Sequence, residues 1–312
     1  MKNINPGQTI RILANIGVIA AILTPMTAIT QAWVAESNCP NNTPAVFHEC
    51  ALEAAKAFDP PRTSDGRPDM GGVWHLPGGR LGGAYEDLEE HSGGLDGHGN
   101  PTSIVDPLDG KVPMRSWADA RRREHPQRYI HPNAACFLPG VPHSMYNGAI
   151  RQFLQTPDYL VTLGLNTHYY RSIPLDGRQP VGESISLWHG DSRGYWEGNT
   201  LVIETTNLNG KTWLDQSGRF YTEEARVVER LTLVDPNTLH HQATLYDSNV
   251  YTSPFTIASP YRRSTEERGF EMEAMACYEN NETLLGIYRN LGLVLYPGIS
   301  SEEAREAMEA EQ

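Results

Sequence analysis

Apolar and polar residues alternate in short runs between residues 159 and 278 of the chain. The runs are rich in Val, Leu, Thr and aromatic residues, and a period of two residues is typical of strands that bury one face. Turn-forming sequences separate several runs, namely Asp176-Gly177, Gly198-Asn199 and Asp235-Pro236-Asn237. The pattern predicts eight strands, at 160–165, 169–173, 185–188, 201–206, 226–234, 239–246, 255–258 and 270–278.

Helical patterns are short and lie outside this region. The pattern predicts helices at 51–58 and 116–124, and a polar helix at 300–312 with a capping box at Ser300 and Glu303. Residues 71–100 are rich in glycine and have little periodicity, which predicts a long irregular loop. Since no long helical run separates the strands, we expect a mainly β fold, an antiparallel barrel or sandwich with an irregular N-terminal third and short helices.

The N-terminus has the features of a secretory signal peptide. Lys2 and Arg11 supply positive charge, residues 12–23 form an apolar run, and small residues end the segment at Ala32. The apolar run is shorter than the roughly 20 residues that span a bilayer. The sequence therefore predicts an exported, periplasmic or secreted protein without a stable membrane anchor.

Export makes disulfides the expected state of the four cysteines. Three pairings are possible. We favour Cys39–Cys50, which closes a short N-terminal loop, and Cys136–Cys277, which ties the middle of the chain to its last predicted strand. The chain is then predicted to consist of five parts. They are a signal peptide (1–32), a disulfide-closed segment (33–70), a glycine-rich loop with short helices (71–158), an antiparallel β domain (159–298) and an acidic helical tail (299–312).

Composition excludes some classes of function. The formal net charge of −13 argues against a nucleic-acid partner, which requires a basic surface, whereas 39% hydrophobic residues suffice for a packed core. The 11 histidines show no H-E-x-x-H spacing and the cysteines no C-x-x-C spacing. The sequence therefore predicts neither a metal site nor a cofactor, and no pattern in it indicates an oligomeric state.

One segment matches a catalytic motif in form. Residues 190–194 read Gly-Asp-Ser-Arg-Gly, which fits the G-x-S-x-G elbow of serine hydrolases. That elbow needs a helix directly after the serine, and here a strand pattern follows. We therefore disfavour a serine hydrolase and expect the segment to form a tight turn between strands.

The same region carries a resemblance to a protein family. Residues 188–202 read W-H-G-D-S-R-G-Y-W-E-G-N-T-L-V, and further matching pieces are D-G-R-P-D at 65–69 and R-V-V-E-R at 226–230. The segment is similar to the shared motif of a large family of uncharacterised exported bacterial proteins. The resemblance implies an exported, β-rich and lipocalin-like fold, and it implies no activity.

Alternate side chains of a small barrel face its interior, so inward polar residues are informative. The apolar residues of the strand at 226–234 turn Glu229 inward. The apolar residues of the strand at 239–246 turn His241 inward. An even-length turn between the two strands would instead place His240 beside Leu233. The pattern therefore does not decide which of the two histidines faces the interior. A buried carboxylate beside a buried imidazole is a candidate acid/base pair.

Other candidate site residues are weaker signals. His189 and Asp191 are two residues apart at a strand end, where their side chains would point to the same side. Lys211, Trp213 and Asp215 alternate and would share one face, as in a small-molecule pocket. The candidate catalytic residues are His189, Asp191, Glu229, His241 and Lys211. The candidate substrate-binding residues are His168, Tyr169, Arg171, Trp213 and Asp215.

The function that these residues favour is acid/base chemistry on a small organic molecule, mainly apolar or aromatic. We expect a cofactor-independent lyase or isomerase in which the histidines and carboxylates move protons, and Lys211 and Arg171 stabilise charge. The alternative is a periplasmic or secreted protein that binds a small apolar ligand without turnover.

Overall fold

The computed structural model describes residues 37–40, 43–76, 87–89, 102–147, 150–164, 169–264, 277 and 281–311. The predicted signal peptide, His168 and all of the predicted strand 270–278 except Cys277 lie outside the described residues.

The described chain is mainly β, as expected. Its helices are short and are Pro44–Ala57 (α1), Ser116–Arg128 (α2), His143–Tyr146 (α3), Asn281–Asn290 (α4) and Ser301–Ala310 (α5). Its strands are Gly72–His75 (β1), Ile104–Asp106 (β2), Tyr129–Ile130 (β3), Ile150–Gln155 (β4), Tyr159–Gly164 (β5), Tyr170–Pro174 (β6), Asp191–Glu197 (β7), Thr200–Thr206 (β8), Arg226–Asp235 (β9), Thr238–Tyr246 (β10), Phe255–Arg263 (β11) and Val294–Leu295 (β12).

One antiparallel sheet curls into a nearly closed barrel. Its strands follow the order β6-β5-β4-β1-β11-β10-β9-β8-β7, and β2 pairs with β11. Side chains bring β6 and β7 together at the seam: a Cβ on Gly194 would lie 2.5 Å from Leu175 and 3.1 Å from Ile173. Glycine at this position therefore allows the two edges to approach closely.

Part of the core lies on the inward faces of the strands. Alternate residues of β9 and β10 point inward, and Val227, Leu231, Leu239 and Leu245 are all at most 1% exposed. Burial of each such side chain contributes about 1.5–3 kcal/mol. The same alternation carries polar residues into the interior, as described below.

Helix α1 covers the outer face of β9. Its N-terminus has Thr43 as the cap, whose side chain accepts a hydrogen bond from the Val46 amide, followed by Pro44. Phe47 packs with Val234 of β9, and both are buried. The helix predicted at 51–58 thus begins earlier, at Pro44, and its additional N-terminal residues include Phe47, which packs on the sheet.

The main errors of the strand prediction have local causes. Residues 185–188 form no strand: Leu187 makes an isolated bridge with Leu208, and Ile185 and Leu187 are exposed. The segment 190–194, expected to form a turn, instead contains the first residues of β7. The inward positions of β7 hold the small residues Ser192 and Gly194, so its sequence shows no apolar alternation. The pattern did not predict β4, because the buried position at Arg151 is polar and interrupts the apolar alternation. It also did not predict β1, which lies inside the irregular loop expected at 71–100.

Both expected disulfides, Cys39–Cys50 and Cys136–Cys277, are present. Two disulfides are typical of proteins that fold in an oxidising compartment. Among the helices of the described segments, none is long and apolar enough to cross a bilayer.

The two disulfides should contribute unequally to stability. They link residues 11 and 141 positions apart, and a longer loop restricts the unfolded chain more. We expect Cys136→Ser/Cys277→Ser to lower the free energy of unfolding by about 5 kcal/mol and Cys39→Ser/Cys50→Ser by about 3 kcal/mol. Urea unfolding of both double variants measures this, and a larger loss for the short loop would contradict it.

Candidate functional site

A bulge between β9 and β10 sets which histidine enters the barrel. Asp235 pairs with Thr238 and Leu233 with Leu239, so Val234 is an extra residue on β9. A bulge of this kind shifts the register by one position. His241 therefore faces inward, which resolves the alternative that the sequence left open.

His240 lies on the opposite face, beneath α1. Its Nε2 is 3.1 Å from Nδ1 of His48, and its ring packs on Phe47. Burial, and after it the neighbouring His48, lower the pKa of His240 to about 3. His240 is thus a neutral part of the helix–sheet contact and not part of the barrel interior.

Glu229 joins two strands inside the barrel. Its Oε1 is 3.2 Å from Nε2 of His241, and its Oε2 is 2.5 Å from Nη2 of Arg171 on β6. All three side chains are buried, and Glu229 is 0% exposed. We call Arg171, Glu229 and His241 the barrel cluster. Sequence alternation predicted the Glu229–His241 neighbours, whereas the contact with Arg171 arises only from closure of the sheet.

The charges of the barrel cluster keep Glu229 ionised. Burial raises the pKa of this carboxyl, but the Arg171 guanidinium and the hydrogen bond from His241 lower it more, to about 2. A carboxylate can only accept hydrogen bonds. Nε2 of His241 is therefore the donor, which leaves the lone pair of a neutral His241 on Nδ1.

Two hydroxyl groups hold Arg171 from the other side. Its Nε donates to Oγ of Ser192 at 2.9 Å and its Nη2 to Oγ1 of Thr205 at 2.7 Å, while the two hydroxyls are 3.0 Å apart. Ser192 is the serine of the hydrolase-like motif, and here it orients a guanidinium. Thr205 follows Leu201 and Ile203 at alternate buried positions of β8, so alternation is the signal that could have indicated it.

Some polar atoms at this site are buried without a hydrogen-bond partner. Within the described part of the chain these include Nη1 of Arg171, Nδ1 of His241 and Nε2 of His189. Leaving such a group unpaired costs about 1–3 kcal/mol. Buried atoms of this kind are accordingly expected where a ligand or ordered water binds.

His189 belongs to the surroundings of the cluster. Its ring packs edge-on against Tyr169, with 5.0 Å between the centroids. Burial, and after it the positive charge of Arg171, lower the pKa of His189 to about 3, against the opposing charge of Glu229. The imidazole of His189 is therefore neutral near neutral pH, and the charges of both Arg171 and Glu229 act on it.

Asp191 does not accompany His189, contrary to the expectation that both face one side. Gly190 lies between them with a φ of 63°, a left-handed conformation that reverses the direction of the chain. Asp191 pairs with Arg193 and accepts a hydrogen bond from the Val181 amide at 2.7 Å. Its carboxylate stabilises the loop outside the barrel.

Helix α3 is fixed to the strands around the cluster. The hydroxyls of Tyr169 and Tyr261 donate to the carbonyls of Ser144 and Met145. Arg151 on β4 also donates to the Ser144 carbonyl, at 3.0 Å from Nε. Sequence reasoning missed Arg151, Tyr261 and α3, because nothing local indicates that these distant residues meet.

Lys211, Trp213 and Asp215 do not form the expected shared face. The intervening Thr212 and Leu214 are as buried as Trp213, so the segment does not alternate, and Lys211 is exposed. Trp213 lies in an aromatic cluster, stacked on His125 at 5.6 Å.

Asp215 has a structural role away from the barrel cluster. Its Oδ2 pairs with Nη1 of Arg219 at 2.6 Å and accepts a hydrogen bond from the Leu88 amide at 3.0 Å. Arg219 also pairs with Asp87 at 2.7 Å. These contacts fix residues 87–89 against the loop at 215–219.

Across the described ranges, His, Cys, Asp and Glu side chains form no group of three that could hold a metal ion. The barrel cluster holds one carboxylate, which is already paired with a guanidinium and an imidazole.

Comparison with models of known protein families gives no match, and comparison with curated protein sequences gives none either.

Proposed function

We propose that this protein is an exported enzyme that moves protons on a small organic substrate inside its barrel, as a cofactor-independent isomerase or lyase. The observation that carries the proposal is the barrel cluster, in which one ionised carboxylate holds both a guanidinium and an imidazole. The signal-like residues 1–32 and the two disulfides support export to the periplasm or the exterior.

The three side chains take different parts in the reaction. Nδ1 of His241 removes the proton, because its lone pair is the one that the contact with Glu229 leaves available. Glu229 orients the ring and stabilises the imidazolium that forms, as a carboxylate does in other acid/base pairs. Arg171 stabilises negative charge that develops on the substrate.

Binding without turnover is the second candidate, and one observation favours it. Nη1 of Arg171 and Nδ1 of His241 are buried without a hydrogen-bond partner among the described residues, and a bound polar group would satisfy them without any proton transfer. In a binding protein the same cluster would hold a polar group of a ligand, and the apolar barrel would enclose the remainder.

Deuterium incorporation tests the proposal before the substrate is known. Residues 33–312 are incubated in D₂O with a bacterial small-molecule extract, and mass spectrometry follows the compounds that gain deuterium. We expect labelling with the wild type and a loss of at least about 100-fold in His241→Gln. Gln keeps a donor for Glu229 but removes the Nδ1 lone pair.

His240→Gln is the matched control, because it changes the adjacent residue on the other face of the same strand. Its labelling should equal that of the wild type. Labelling that persists in His241→Gln would refute the proposal. A compound that native mass spectrometry finds bound, in the absence of any labelling, would favour the binding protein.

A further inference from the structure

A cavity lies on the outer face of the sheet, at the end of the barrel where β9 begins and β10 ends. Arg226 and Tyr246 are paired across these strands, and both line the cavity. Their neighbours Val227 and Leu245 are buried and point inward, so the alternation of the strands places Arg226 and Tyr246 on the outside. The cavity has a volume of about 550 Å³, which is within the range of small-molecule sites. We call it the outer cavity.

Two arginines of the outer cavity have unused hydrogen-bond donors. Nε of Arg115 donates to the Ser248 carbonyl at 2.9 Å, and its two terminal nitrogens have no partner among the described residues. The guanidinium of Arg226 lies 4.1 Å from the ring centroid of Tyr246. Its one ion pair within the described ranges is with Glu204, at 3.9 Å, which is longer than a hydrogen bond. Both guanidiniums are thus held against the same short segment, 246–248, with N–H groups to spare.

Three carboxylates also line the outer cavity, but their oxygens are engaged. Each of the six oxygens accepts a hydrogen bond from a described residue. The three acids are Glu223, bonded to Ser301; Glu224, bonded to Arg305 and Asn249; and Asp247, bonded to Thr222 and Asn249. The unused charged groups of the cavity are therefore guanidinium N–H groups, which can only donate.

An anion is the ligand that satisfies such donors best. The fork of a guanidinium matches the oxygens of a carboxylate or a phosphate, and hydrogen bonds between ionised groups are the stronger ones. The three lining carboxylates would repel a phosphate dianion more than a monoanion, because the repulsion grows with the product of the charges. The surroundings therefore favour a carboxylate over a phosphate.

The rest of the wall suits an apolar group. Tyr246 is half-buried and Pro254 is exposed, and both line the cavity. Because Arg226 packs on the ring of Tyr246, this ring is held in place and offers a fixed aromatic surface to a ligand.

We propose that the outer cavity binds a small organic carboxylate, whose carboxylate group accepts hydrogen bonds from Arg115 and Arg226 and whose apolar or aromatic part lies against Tyr246 and Pro254. This site is additional to the barrel cluster, and it does not depend on the function proposed for that cluster.

Isothermal titration calorimetry of residues 33–312 tests the site with three probes, acetate, benzoate and 3-phenylpropionate, at constant ionic strength. We expect at least one of them to bind with a Kd at or below about 1 mM. The neutral amide of the tightest probe, which has the same shape and no charge, should bind at least about 10-fold more weakly. Inorganic phosphate should bind more weakly than that probe.

Two variants locate the binding. Arg115→Met and Arg226→Met should each weaken the tightest probe at least about 10-fold. Arg230→Met is the matched control, because it removes the same charge from an exposed arginine on the same face of β9. Its affinity should stay within about 2-fold of the wild type. Circular dichroism checks that the variants fold, and Arg226→Met decides if Arg115→Met, which loses the bond to Ser248, is misfolded.

Four results would overturn the proposal. They are the absence of binding for all three probes up to about 10 mM, equal affinity for the probe and its amide, tighter binding of phosphate than of any carboxylate, and an equal loss of affinity in Arg230→Met and Arg226→Met. The last result would mean that the probe responds to net charge and not to the outer cavity.

Discussion

Glu229→Leu should lower the free energy of unfolding by about 3–5 kcal/mol, because it leaves the guanidinium of Arg171 buried beside no carboxylate. Arg171→Met should have a similar effect, since it leaves the carboxylate of Glu229 without its cation. In the double variant Arg171→Met/Glu229→Leu the charges leave together. We expect it to lie within about 1 kcal/mol of the wild type or to be more stable.

Urea unfolding of the four proteins yields the coupling energy between the two side chains. The surface pair Arg230–Glu197 is the matched control: its atoms are 2.8 Å apart, but its side chains are 38% and 49% exposed. Replacing those two residues with alanine should give a coupling below about 1 kcal/mol. Equal couplings for the buried and exposed pairs would show that Arg171 and Glu229 are not paired in the barrel.

The free energy of unfolding should fall as the pH drops below 6.5, by up to about 6 kcal/mol per pH unit near pH 5.5. Burial lowers the pKa of His48 below 6.5, and it lowers the pKa of five further described histidines enough to keep them neutral in the folded protein near pH 5.5. Burial is the main cause of the low pKa of each: about 4 for His125 and His131, about 3 for His189 and His240, and well below 6.5 for His143.

The sign of this pH dependence follows from the number of protons that the folded and the unfolded chain bind. Near pH 5.5 the unfolded chain binds a proton at each of these histidines, whose ordinary pKa is 6.5, and the folded chain does not. Their contribution is therefore complete above pH 6.5 and is lost as the pH falls through the folded values. Asp247 opposes the trend by at most one proton, because burial raises its pKa above 3.8. Glu229 adds a loss of the same sign between pH 4.5 and 2.

Single variants check how many histidines contribute to the pH dependence. His240→Asn should reduce the slope by about 1.2 kcal/mol per pH unit, the share of one histidine near pH 5.5. Glu309→Gln removes an exposed carboxylate and should leave the slope near pH 5.5 unchanged. Urea unfolding at pH 5.25, 5.5, 5.75 and 6 measures all three proteins. A wild-type slope equal to that of a single proton would contradict the neutral state of these histidines.

Alternation along single strands predicted half of the candidate site. Glu229 and His241 follow from the apolar residues on each side of them, because a period of two residues fixes the face of a side chain within one strand. The choice between His240 and His241 depended on Val234, an extra residue in β9 that no pattern of polarity marks. A register shift of one residue would have exchanged the two faces.

The other half of the site depends on closure of the barrel. Arg171 meets Glu229 across 58 positions of sequence and Ser192 across the seam between β6 and β7. These contacts depend on which strand edges meet, which local propensity does not encode. The failed predictions for Asp191 and Lys211 share one cause, since both assumed a regular strand where the chain turns at Gly190 or runs irregularly.

The tautomer of His241 is the most direct test of the proposed site. Long-range proton–nitrogen NMR of ¹⁵N-labelled residues 33–312, with His241→Gln to assign the signal, distinguishes a ring protonated on Nε2 from one protonated on Nδ1. We expect the neutral ring to carry its proton on Nε2, donated to Glu229, and its lone pair on Nδ1. A proton on Nδ1 would mean that Glu229 does not orient this ring, and that His241 has no lone pair with which to act as the base.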